Sequence, residues 1–124
     1  MSQAEQVEAG SFVWEAHCAR CHDFNRLRPG FSRYGGDIRA RELAWHGTTG
    51  LLAHYVINYM PFDRPNTLTE GEYNEVLAYL LDRAGLLPED VVVSEETYEA
   101  IPLPDYRELS REIFEINAAR RNGD

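Results

Sequence analysis

The residues of this chain best suited to chemistry are Cys18, Cys21 and His22, in the string C-A-R-C-H. Two cysteines at this spacing close a redox disulfide, supply half of a zinc site or attach a haem, and only the haem needs the adjoining histidine. A thioredoxin-like disulfide belongs near a βαβ pattern, which this chain lacks. A structural zinc site wants four ligands. Two of His17, His22, His46 and His54 would have to complete it, and their spacings match no familiar finger. C-x-x-C-H is the attachment signature of c-type haem. Two thioethers to the haem vinyl groups would fix the porphyrin edge against one helical turn, and His22 would be carried beneath the ring to offer a nitrogen to iron.

A second axial ligand must come from elsewhere. The chain has two methionines, and Met1 is a terminus. Met60 lies 38 residues after His22 in N-Y-M-P-F-D-R-P, where Pro61 pushes it out of helical dihedrals. A methionine is more often core filler than ligand, but paired with C-x-x-C-H it becomes the favoured sixth ligand. His17 adjoins Cys18 and is poorly aimed at the opposite haem face. His54 falls on the polar side of its helix and reads as solvent-exposed. His46, in a loop, is the rival for the sixth position.

Helices must position these groups. The first is expected over Ala4–Ala19, with Val7, Gly10, Val13, Trp14 and His17 near one stripe. The stretch RPGFSRYGGD reads as loop and turn. After a short Arg39–Trp45 segment, a helix starts at Thr48 or Thr49, carries Leu51, Leu52, Tyr55, Val56 and Tyr59 on one apolar face, and stops near Asn58. The next has Thr69 as N-cap, Glu72 as its capping-box partner and Leu68 stapled to Tyr73. Its core stripe is Tyr73, Val76, Leu77, Leu80 and Leu81, and Gly85 stops it. PEDVVVSEETYEAIPLP reads as extended and acidic; VVV has strand character but no partner strand. A last helix opens at Asp105, with Glu108 as box partner and Tyr106, Leu109, Ile113 and Ile116 on one face. The fold class is all-α, in two parts: 1–87, and a C-terminal extension at 88–124 made of a strap and a helix.

The 124 residues suit one domain with a modest core. All 12 basic residues are arginine, and the formal charge is -9. Such acidity argues against nucleic acid and anionic membrane surfaces as partners. No apolar run approaches the ~20 residues of a membrane helix. MSQAEQVEAG has neither the charged nor the apolar region of a signal peptide, so the chain is either cytoplasmic or quoted after a removed leader.

The order helix–CARCH, loop, helix, MP, terminal helix resembles class I cytochromes c. Gly10-x-x-x-Trp14-x-x-x-Cys18 matches that family's glycine, aromatic and first-cysteine spacing, and V-L-A-Y-L-L at 76–81 resembles its last core helix. The likeness covers about residues 7 to 87. It implies a cytochrome c-like fold with one covalent haem c and its iron, in which Gly10 lets the last helix approach and receive Tyr79. It also implies that the Pro29 carbonyl fixes the other nitrogen of the axial histidine, and that Trp45 with Arg39 or Arg41 binds haem propionates. A buried indole or a solvated arginine is an equally good reading of these last residues. Residues 88–124 depart from the family pattern and read as a clamp or an interaction element.

Within the family, MPFDRPNTLTEGEYNEVLAYLL looks like the cytochrome subunits and partners of periplasmic dehydrogenases, including sulfite- and thiosulfate-oxidising systems and quinoprotein alcohol dehydrogenases. The implied function is one-electron transfer, in the periplasm, from a dehydrogenase donor to an oxidase or cytochrome acceptor. Histidine and methionine together fill both axial positions, and the soft thioether favours the ferrous state. The alternative is a haem enzyme or gas-binding protein with a labile Met60 ligand. Phe62 and Pro65, flanking the Met60 loop, are candidates for an apolar docking patch.

Overall fold

Ser2 starts the first helix by reciprocal capping. Its hydroxyl accepts from the Glu5 N–H, and the Glu5 carboxylate accepts from the Ser2 N–H. In this computed structural model, which describes residues 1–19, 38–61 and 63–122, α1 runs Gln3–His17 and Cys18 is its C-cap. The short α2 is Ala40–Ala44, and α3 is Thr49–Tyr59 with the Thr48 hydroxyl accepting from the Leu51 N–H. The Thr69–Glu72 box forms as the sequence predicts and opens α4, Glu70–Arg83. Gly85, at φ 74, ends α4, and the Leu86 N–H returns to the Leu81 carbonyl at 2.8 Å. A 3₁₀ helix spans Glu95–Ala100, and α5 covers Tyr106–Asn122. No strand occurs among the described residues; the fold is all-α.

The core is the crossing of α1 and α4. Val13 and Trp14 of α1 meet Val76, Leu77, Leu80 and Leu81 of α4 in one buried cluster, which Leu43 of α2 and Leu52 and Ala53 of α3 complete. The helices touch backbone to backbone at Gly10. A Cβ there would collide with the Glu75 carbonyl oxygen and lie 2.8 Å from the Tyr79 Cβ. Tyr79 turns its ring to Trp14, with centroids 6.2 Å apart, and the Arg83 guanidinium lies 5.9 Å from the Tyr79 ring centroid.

The segment after Leu87 adds Val93 and Ile101 to the same core. Its valines form no strand; Val91 and Val93 take backbone partners from side chains of α1, and the Val92 carbonyl accepts from the Thr97 hydroxyl at 2.8 Å. The Gln6 amide donates to the Val93 carbonyl at 2.8 Å, and its oxygen accepts from the Val93 N–H at 2.7 Å. Gln3 donates to the carbonyls of Pro88 at 2.7 Å and Val91 at 2.9 Å. Farther along, the buried Thr49 hydroxyl donates to the Ile101 carbonyl at 2.7 Å, and the Tyr98 hydroxyl to Asn74 Oδ1 at 2.7 Å. These bonds satisfy polar groups that would otherwise be buried without partners. After the strap, Asp105 Oδ1 accepts from the N–H groups of Arg107 and Glu108 and caps α5. That helix lies beside α2 and leaves Phe114 65% exposed.

Because Gln6 answers both polar groups of Val93, Gln6→Leu leaves a buried donor and acceptor unpaired. The expected loss is about 2–4 kcal/mol of unfolding free energy, read by urea denaturation. A loss below about 0.5 kcal/mol, the range of a neutral surface change, would mean that the strap is held by its apolar contacts alone.

Candidate functional site

Cys18 sits half-buried where α1 ends, its N–H donating to the Trp14 carbonyl at 2.9 Å. Met60 sits at the corresponding end of α3. It leaves the helix in an extended conformation, φ -123 and ψ 149, while its N–H still donates to the Val56 carbonyl. Its own carbonyl accepts from the Tyr73 hydroxyl at 2.7 Å, so α4 grips the backbone of this residue from below. The same hydroxyl receives the Leu68 N–H at 3.5 Å, joining the two ends of the intervening loop.

That loop is tightly turned. The Arg64 N–H donates to the Pro61 carbonyl at 2.8 Å, and the Thr67 hydroxyl donates to the Arg64 carbonyl at 2.6 Å. Arg64 then reaches across to His17, its Nη2 3.4 Å from the ring Nδ1. The loop that bears Met60 and the helix end that bears Cys18 are therefore neighbours, although 42 positions separate the two residues (60 minus 18). Cys21, His22, Pro29 and Phe62 lie outside the described residues.

A row of aromatic rings flanks this junction. Trp45 meets His46 edge-on at 5.2 Å, His46 meets Tyr55 at 4.9 Å, and Tyr55 meets Tyr59 at 5.2 Å. Burial pushes the His46 imidazole below its ordinary value of 6.5. Tyr59, next to Met60, is 56% exposed, and Trp45 is 64% exposed. Arg41, Trp45, His46, Tyr55 and Tyr106 share a cleft of about 280 Å³, which brings two of the predicted propionate partners together. Arg41 is paired with Glu42 at 3.0 Å, and the Arg39 N–H donates to Glu42 Oε1 as part of the α2 cap. His54 is exposed and receives the Asn58 amide at Nδ1. Pro65 is exposed beside the loop.

Residues 5–80 match the family described as cytochrome c oxidase, cbb3-type, subunit III. The chain belongs to that family. It is thus a c-type cytochrome with a cytochrome c-like fold, carrying covalently bound haem c with its iron and exchanging electrons with redox partners. No curated protein and no solved structure matches the chain. Among the described residues, no helix is long and apolar enough to cross a membrane.

The residues present suit that group. Tyr55 and Tyr59 offer a partly exposed aromatic surface next to Met60, whose soft thioether suits iron. A flat apolar macrocycle would suit such a surface. Tyr55 and Tyr59 share one apolar face of α3 in the sequence pattern, yet both stand exposed. Two further residues matter here: Tyr73, which the pattern presents as an ordinary stripe residue, and Arg64, to which it assigns no role. A tyrosine in the first turn of a helix that follows a Met-Pro loop was the available signal for the first.

Tyr73 is almost wholly buried, so Tyr73→Phe strands the Met60 carbonyl. The expected cost is about 1–2 kcal/mol, with faster amide exchange over residues 60–68 as its local signature. A second expectation concerns acid. Bonds from the Thr69 N–H and hydroxyl region, aided by the charge of His17, hold the Glu72 carboxyl below its ordinary 4.5. A carboxyl lowered on folding stabilises above its unfolded value and loses that contribution as pH falls through the folded one. Protection of the Thr69 amide against exchange, relative to the intrinsic rate, should therefore fall below pH 4.5, and Glu72→Gln should flatten that response.

Proposed function

We propose that this cytochrome is a one-electron carrier, or an electron-transfer subunit, serving a periplasmic dehydrogenase that oxidises a sulfur compound or an alcohol. Cys18 and Cys21 hold the haem through thioethers, and His22 and Met60 bind its iron. The observation that carries the ligand set is the grip on Met60: its backbone is fixed by the Tyr73 hydroxyl at 2.7 Å, in a loop that Arg64 ties to the helix end bearing Cys18. When bound, haem c supplies the exchange between ferric and ferrous iron. The protein's part is to hold a thioether at a fixed place, cover the ring with aromatic side chains and keep water from it.

With His22 and Met60 both holding the iron, no position would be left for a substrate, which favours a carrier over a haem enzyme. The dehydrogenase assignment rests on the likeness of the 60–81 segment to cytochromes of such systems. The periplasm follows from the chemistry of attachment, because covalent haem is normally joined on the outer face of the bacterial inner membrane. A formal charge of -9 suits a donor or acceptor with a basic surface.

Met60→Ala tests the ligand set. The variant should keep haem through acid–acetone extraction but lose the far-red charge-transfer band of methionine-bound ferric iron. Its ferrous form should bind carbon monoxide, and the wild type should resist it. A band that persists in the variant would hand the sixth position to His46 or another group. Ready binding of carbon monoxide by the wild type would favour the gas-binding or enzymatic reading with a labile Met60.

A further inference from the structure

On the side of α3 turned away from Tyr55 and Tyr59, positions 50, 53, 54 and 57 face a groove of about 570 Å³. Its floor is apolar, made by Ala53, Ile57 and Leu68 together with the ring of Tyr73. Its rim carries Glu70 from the first turn of α4 and Glu95 from the 3₁₀ helix of the strap. Among the described residues, no arginine lines it. Glu96 and Glu99 stand exposed on the same 3₁₀ helix, so the field over the groove is negative. Tyr98, whose hydroxyl is bonded to Asn74, feels this directly: burial first, then the charges of Glu70 and Glu95, push its phenol above the ordinary value.

We infer that this groove seats an arginine or lysine side chain from a basic redox partner. The inference rests on the electron-carrier reading and adds where the partner docks. The chemistry is that of an amphipathic cation: an aliphatic stem lies along apolar surface while its charged head stays among carboxylates and water. The groove supplies both parts in that order, floor and then rim. Its position matters as well. Tyr73 forms the floor and donates to the Met60 carbonyl, so a side chain seated here lies one hydrogen bond from the backbone of the proposed iron ligand. Docking behind Met60 leaves the aromatic wall to the haem and brings the partner to the methionine side of the protein.

Gly50 allows the groove to be closed without touching its charge. A Cβ there would meet nothing nearer than the Thr48 hydroxyl at 4.0 Å, so a larger side chain fits the backbone and fills the space. The test uses the haem-loaded, reduced protein and an amidated tetra-arginine peptide at low ionic strength, followed by amide chemical shifts. Shifts should concentrate at Gly50, His54, Glu95 and Tyr98. The double change Glu70→Gln and Glu95→Gln should weaken binding about tenfold, and Gly50→Leu should weaken it comparably with the charge unchanged. Glu8→Gln with Glu89→Gln, an equal loss of charge elsewhere, should leave it within about twofold. Shifts spread over α1 and α5, equal weakening by the control pair, or no weakening by Gly50→Leu would overturn the groove. So would shifts at the groove that depend on protein concentration without peptide, since a second copy would then be the occupant. Failure of the haem to cycle between ferric and ferrous forms with ascorbate and ferricyanide would instead overturn the carrier reading, whatever the peptide does.

Discussion

Two backbones that touch decide the rest of this molecule. At Gly10 the α1 and α4 helices approach so closely that a single methyl would occupy the place of the Glu75 carbonyl. Close approach lets Trp14 and Tyr79 meet across the crossing and seals Val13 against Val76 and Leu77. It also fixes two directions. Along α1 it sets where Cys18 emerges; along α4 it sets where the first turn, with Tyr73, comes to stand. The Met60 loop is strung between those two points, by Arg64 to His17 and by the Tyr73 hydroxyl to the Met60 carbonyl. A shift of α1 on α4 would therefore move both candidate haem-binding ends at once.

The strap uses the opposite side of the same crossing. Gln6 lies one turn before Gly10 on α1, and Asn74 one residue before Glu75 on α4. Both turn polar side chains inward, to Val93 and Tyr98 respectively. Thr49 makes the third such bond, from the first turn of α3. The strap thereby links the three helices that carry Cys18, Met60 and Tyr73. Its 3₁₀ helix also forms one wall of the groove, so a partner seated there would press on the element that closes the core.

What could be read beforehand was what is local. The Thr69 box, the Gly85 stop and the stripe from Tyr73 to Leu81 depend on residues within a turn or two of one another, and all appear as the pattern implies. The first helix stops at His17, short of the expected Ala19, because Cys18 already departs from helical dihedrals. The strap was illegible for a physical reason. Its order comes from side chains 87 positions away, and Gln6, on a polar-looking position of α1, gives no local sign of being buried. VVV has the composition of a strand, yet its hydrogen bonds go largely to side chains, those of Gln3, Gln6 and Thr97. The site divides the same way. C-x-x-C-H can be picked out because covalent attachment demands a fixed spacing, and Met60 is proposed beside it because a proline follows it. Cys21, His22 and Pro29 fall outside the described residues. The groove was hidden because it is assembled from α3, the start of α4 and the strap.

His46 and Met60 compete for one role, and their surroundings differ in kind. Burial lowers the pKa of the His46 imidazole and so favours the neutral form, which is the form that binds metal. Its ring, however, is engaged between Trp45 and Tyr55. To reach iron it would have to leave those two rings and give up both contacts. Met60 gives up nothing of the sort. Its N–H is bonded to Val56 and its carbonyl to Tyr73, so the backbone is spent on holding position and the flexible thioether is left to the ligand. A donor on a post fixed at both ends changes little when the charge on its metal changes. Small rearrangement between oxidation states is what one-electron exchange asks of a protein, and it is the reason the proposed Met60 ligation and the carrier function belong to one argument.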